Sequence, residues 1–326
     1  MRITARLKKL VLSAVFIASL TLGAQSQTRN DAAIAFNAAV QLANTDMPGA
    51  IKAMTDVISM CDKAGADAND LKANAQKAIP GWYYQIANNF LKDKKIDDAQ
   101  VALEKSLELA ELYTIADAKT KASDQLSRVY LSKGYVQLKA NKADEAIVLF
   151  DKAIKTQPAY AKAYFGKGQA CLKKGDLDKM KEAMDLAISH GKETGDTTAV
   201  SNAKNLMRDN MITRSSKAVQ KGANDQAINF ANASLSYNDR NPAAYYLLAV
   251  AFNKTSKWDD AIEAANKGLA LEDNSKEKKA RYYFELGNAQ KGKGNKTAAC
   301  ASFKNAAYGV NAAAATYQVT TVLNCK

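Results

Sequence analysis

Proline is scarce in this chain, with four in 326 residues, and glycine numbers 16. So few breakers argue against long linkers, and no low-complexity tract separates one half from the other. Histidine occurs once, as His190, so no pair of histidines exists to bind a metal or to share a proton-transfer site. Tryptophan occurs twice, as Trp82 and Trp258, which is thin for a surface built to stack on sugars. Cysteine occurs four times, at positions 61, 171, 300 and 325, without metal-ligand spacing.

Chemistry is equally scarce. His190 lies in the polar turn "SHGKETGD" and reads as a surface residue. "KGKGNK" has glycines but sits at an expected interhelical turn, without the strand that a phosphate-binding loop requires. Asp97–Asp98 and Asp259–Asp260 precede helical patterns, where acids favour the positive end of the helix dipole. No catalytic, cofactor or metal site emerges, and the expectation is that the chain is not an enzyme.

What is present is helical periodicity. In "ADEAIVLFDKAIKTQP", Ala146, Phe150 and Ala153 share one helix face, with Ile147 and Ile154 beside them, and Pro158 ends the helix. Small residues admit a neighbouring helix and Phe150 fills the remaining space. Upstream, "RVYLSKGYVQL" supplies Tyr130 and Gly134, and a step of 34 residues leads to Tyr164 and Gly168. The same step carries Ala227 to Ala261. Two helices recurring every 34 residues resemble the tetratricopeptide repeat family over most of the chain. Ser127–Tyr160 carries the best match, through Tyr130, Gly134, Ala146, Phe150, Ala153 and Pro158. Pro242–Asp273 follows through Tyr245, Ala249, Phe252, Ala261, Ala265 and Gly268, and residues 281–306 through Tyr283, Gly287, Ala299, Phe303 and Ala306.

The resemblance implies an all-α, right-handed solenoid of about seven helix–turn–helix repeats with a capping helix. The repeats are anchored on Ala50, Ala99, Ala146, Met180, Ala227, Ala261 and Ala299, whose steps are 49, 47, 34, 47, 34 and 38. The long steps are expected to lengthen the following first helix, with Pro80 and Gly81 kinking or breaking the first such helix. Met180, Met184, Met211 and Ser215 depart from the family's small and aromatic positions. The array is expected over residues 25–309. The cap, over 310–326, should turn Tyr317, Val319, Val322 and Leu323 inward.

Residues 1–24 read as a signal peptide. Arg2, Arg6, Lys8 and Lys9 precede the 13-residue apolar run Leu10–Leu22, and small residues follow. That run is short of the ~20 residues a bilayer span needs. The expected destination is the bacterial periplasm, with secretion open, and no stable membrane span after removal. An oxidising compartment permits a bond between Cys300 and Cys325, which fall in the last repeat and its cap. Cys171 reads as a buried small hydrophobe.

The formal charge of +13 is unevenly spread: residues 204–326 hold 18 basic and 10 acidic side chains, against 24 and 23 over residues 25–203. A solvated face and attraction to an acidic partner or anionic envelope surface both remain open. Nucleic acid suits the charge but not an exported chain. The resemblance implies a groove lined by the residue after each first helix's core aromatic: Tyr84, Leu131, Phe165, Ile212, Tyr246 and Phe284. Arg281 and Lys291 add charge at its C-terminal end. The expected partner is a protein or peptide segment with apolar anchors, its acidic character left open, held by a non-catalytic scaffold. A glycan- or envelope-polymer-binding module is the alternative.

Overall fold

The computed structural model describes residues 29–326 except Asn274. The expected signal peptide, and a mature start at Gln25 or Gln27, lie outside the described residues. Those residues form fifteen α-helices and no strand. They divide into two compact units, one ending at Leu126 and the other running from Ser127 to Lys326.

The first unit holds α1 (Arg29–Leu42), α2 (Met47–Ala64), α3 (Asn69–Lys92) and α4 (Ile96–Leu112). α5 (Ala116–Lys139) contributes Ala118, Ala122 and Leu126 to its buried set and continues into the second unit. There follow α6 (Ala143–Thr156), α7 (Ala161–Lys174), α8 (Leu177–Thr194), α9 (Thr197–Gln220), α10 (Asn224–Tyr237), α11 (Pro242–Lys254), α12 (Trp258–Leu271), α13 (Lys276–Gly292), α14 (Lys296–Asn305) and α15 (Ala312–Tyr317). Within each unit, consecutive helices pack in pairs, first helix on second and second on the next first. The helices of α1 to α14 make the seven pairs expected from the repeat anchors, and all seven anchors are fully buried.

A backbone feature marks each pair from the second to the seventh. Lys94, Asn141, Gly175, Gly222, Ser256 and Gly294 have φ between 58° and 80°, the left-handed region. Each sits five residues before its anchor. Glycine occupies this site at no steric cost in three of the six turns. Helix starts are fixed nearby: Asp176, Asp196, Asn241, Ser275 and Asn295 each accept a backbone N–H of the following first turn.

The long steps differ from expectation in where their residues go. The first helices α3, α5 and α9 each reach 24 residues, but the preceding second helices α2, α4 and α8 also lengthen, to 18, 17 and 18 against 14 in α6, α10 and α12. Nor does Pro80 break its helix. α3 is continuous through Pro80 and Gly81. Pro80 is buried, and its carbonyl accepts Ser106 Oγ from α4 at 2.8 Å, which ties the helix to its neighbour at that point. A longer regularity also appears. Displacing the bounds of α5, α6 and the start of α7 by 81 residues gives the bounds of α9, α10 and the start of α11, and α8 begins 81 residues before α12. A 47-residue and a 34-residue repeat thus act as one tandem block, occurring twice.

The departures from family pattern are absorbed locally. Ser215, where Gly134 stands in the third pair, is fully buried and donates to the Ala227 carbonyl at 2.8 Å. Met180 and Met184 are fully buried; the flexible Met184 side chain lies against Gly168. Cys171 is buried, as its position on the inner face of α7 requires.

The cap is shorter than expected. α15 spans six residues, followed by a wide π-type turn over Gln318–Val322. Ala315 is its buried contact, while Tyr317 and Val322 are exposed, against the expected inner face. Ala315, Val319 and Leu323 fall four residues apart and so share the inward side; Tyr317 and Val322 lie off it. The tail turns back through Asn324, at φ 44°, and Cys325 is bonded to Cys300 of α14 with a Cα separation of 5.8 Å.

Candidate functional site

The first helices of the second unit touch in succession, α7 on α9, α9 on α11 and α11 on α13, so their free sides form a continuous face. Between α11 and α13 that face opens into a cleft of about 440 Å³. Its walls come from the C-terminal turns of both helices. Val250, Asn253 and Lys254 share one side of α11, and Glu285, Asn288 and Lys291 recur at threefold spacing on α13. Trp258, at the start of α12, closes one end. A side chain at Gly292 would meet the Trp258 ring at 2.6 Å, so the glycine lets the indole lie against the end of α13.

The cleft is polar at its base. Glu285 accepts from Asn253 Nδ2 at 2.7 Å and from Asn288 Nδ2 at 3.4 Å. Asn253 Nδ2 also donates to the Glu285 backbone carbonyl at 2.9 Å. Both neighbours are acceptors, which fixes the amide orientation of Asn253. Its Oδ1 is then left buried and without a protein donor. Burial pushes the Glu285 carboxyl above its ordinary range, with the two asparagine amides pulling the other way. Lys291 Nζ reaches out of the cleft to Gln318 Oε1 at 2.9 Å.

The groove row is half-buried at every position. Tyr84 lies on α3, in the first unit. In the second unit, Leu131 packs beside Phe150, Phe165 beside the buried Met180, Met184 and Met207, and Ile212 and Tyr246 against the core around Leu247 and Leu248. Phe284 meets Phe303 edge-on at 5.5 Å, and Tyr246 meets Tyr282 at 5.8 Å. Burial raises the Tyr246 phenol. These side chains therefore fill space between helices while showing one edge.

Arg281 is tied into structure. Its guanidinium pairs with Glu272 at 2.8 Å, donates to Tyr282 Oη at 2.9 Å and lies over the Tyr246 ring at 5.1 Å. Lys291, by contrast, lines the cleft. His190 stacks on Tyr164 with centroids 5.0 Å apart and meets Glu193 at 3.0 Å. Among the described residues, no group of three or more His, Cys, Asp or Glu converges on a point, and no helix is long and apolar enough to cross a membrane.

Asn253, Glu285 and Asn288 did not stand out in the sequence. Their signal was available, since Asn253 lies seven residues after Tyr246 and Lys291 seven after Phe284, two turns along the same faces.

Models of the tetratricopeptide repeat match residues 131–179, 213–275 and 280–308. Protein SGT1 homolog of Oryza sativa subsp. japonica is 34% identical over 80 residues, covering 24% of this chain and 21% of that protein. The chain thus spans about a fifth of that relative's length. Among solved structures, a tetratricopeptide repeat protein from Parabacteroides merdae is 12% identical, with 90% of this chain and 99% of that one covered and a TM-score of 0.31. The TPR2AB domain of yeast Sti1, solved as a complex with pHSP90, is 16% identical, with 76% and 97% covered and a TM-score of 0.32.

Proposed function

We propose that this chain, which carries tetratricopeptide repeats over residues 131–179, 213–275 and 280–308, is a non-catalytic scaffold that binds a protein or peptide segment in the cleft between α11 and α13. The observation that carries the reading is the cleft itself, walled by Val250, Asn253, Lys254, Glu285, Asn288 and Lys291 on the face that the successive first helices share. Lys254 and Lys291 favour an acidic side chain nearby. The half-buried edges of Tyr246 and Phe284 supply apolar contact along the same face.

The setting proposed is the periplasm of a bacterial envelope, on the strength of the charged and apolar pattern of residues 1–24. Mass spectrometry of the exported protein should find a mature start at Gln25 or Gln27; intact residues 1–20 in a membrane fraction would contradict it. The binding reading is tested with immobilised protein and envelope extract, using Val250→Arg to fill the cleft. A peptide or protein ligand should be retained by the native chain and lost by the folded variant. Trp258 in the cleft wall favours a glycan as the second reading. A polysaccharide panel run beside the extract separates the two.

A further inference from the structure

We propose that the Cys300–Cys325 disulfide is a redox latch that holds Gln318 on Lys291 and so controls what the cleft between α11 and α13 offers a partner. The inference rests on reading that cleft as the binding site.

Three observations meet here. The C-terminal segment has few noncovalent holds on the fold: α15 has six residues, Ala315 is its buried side chain, Lys304 Nζ of α14 donates to the Lys326 carbonyl at 3.1 Å, and Val310, Tyr317 and Val322 stand in solvent. Its turns are closed mainly within itself, by Leu323 N–H on the Gln318 carbonyl at 2.9 Å and Cys325 N–H on the Val319 carbonyl at 2.8 Å. The bond to Cys300 ties the segment back to α14 across a sequence separation of 25. In that position Gln318 Oε1 accepts from Lys291 Nζ at 2.9 Å, and Lys291 lines the cleft. The tail therefore supplies a neutral acceptor to a cation that an acidic partner would otherwise use.

The chemistry is ordinary thiol–disulfide exchange. A thiolate of a dithiol reductant attacks one sulfur, forming a mixed disulfide and releasing the other cysteine as a thiolate. The second thiol of the reductant then displaces the remaining cysteine. Two electrons and two protons pass to Cys300 and Cys325, which become thiols, and the reductant leaves as its own disulfide. Without the covalent tie, residues 312–326 leave α14 and Lys291 is free to pair across the cleft. Cys61 and Cys171 are buried and stay outside the exchange.

The test uses the full chain, oxidised and after dithiothreitol, with amide hydrogen exchange and amine labelling of Lys291 by an activated ester. Reduction should abolish protection over residues 318–325 while α13 and α14 keep theirs. Labelling of Lys291 should rise by about tenfold or more, as release of a hydrogen bond from a charged group requires. Cys300→Ser with Cys325→Ser should reproduce both effects without reductant, and Gln318→Ala should raise labelling with the disulfide intact. Unchanged tail protection would overturn the latch. So would loss of protection spreading through α14, which would make the bond a staple of the last pair. Unchanged labelling with a freed tail would sever the latch from the cleft. None of these readouts needs a partner, so failure to find one tests the binding reading separately.

Discussion

A Cβ placed on Gly134 would lie 2.6 Å from Cε1 of Phe150. From the other side, a Cβ on Gly166 would lie 2.5 Å from the same atom. The Phe150 ring of α6 is thus gripped between glycines of α5 and α7, and one small–large–small contact joins two successive pairs.

Gly134→Ala and Gly166→Ala should each destabilise the chain by about 1–3 kcal/mol, the usual cost of overpacking. Helix propensity alone would act in the opposite direction by about 1 kcal/mol, so the sign of the change decides. Adding Phe150→Leu should recover part of the loss, because both alanines press on that ring. Thermal melts of the single and double variants check this. Stabilisation by either alanine would contradict the grip.

Glu285 gives a pH-dependent prediction. Burial raises its folded pKa above the unfolded value, so the folded state holds the proton more tightly. Stability from this group is present at low pH and lost as pH rises through the folded pKa. Glu285→Gln should therefore raise Tm at pH 7, and the gain should shrink as pH falls into the ordinary carboxylate range. A gain that grows on acidification would refute the assignment.

Thiol counting addresses the cysteines. In denaturant without reductant, oxidised protein should show two free thiols, from Cys61 and Cys171. In the folded state both should react slowly, since burial raises each thiol above its ordinary range. Four free thiols in denaturant would exclude the Cys300–Cys325 bond.

Much of this fold was legible because its contacts are periodic. Ala146, Phe150 and Ala153 announce a packed face, and the same spacing located all seven anchors. What escaped came from elsewhere. Proline breaks helices as a rule, yet α3 runs on through Pro80, which is buried and tied to α4 by Ser106, a contact across 26 residues that no local pattern reveals. The 81-residue block was hidden because its two members share helix bounds more closely than residues: Tyr130 answers to Met211 and Gly134 to Ser215. The cleft was half legible. Lys291 drew attention as a charge, whereas Asn253 and Glu285 matter through each other, and pairing across helices is invisible until the helices are placed.

The most direct test of the account is site-specific photo-cross-linking in the cell that makes the protein. A benzophenone-bearing residue at Val250, in the cleft, should capture a protein or peptide partner, and the adduct should disappear when Lys254 and Lys291 are both changed to Glu. The same residue at Val148, exposed on α6, should give no such adduct. Capture at position 148 but not at 250, or an adduct at 250 indifferent to both lysines, would contradict the cleft as the binding site.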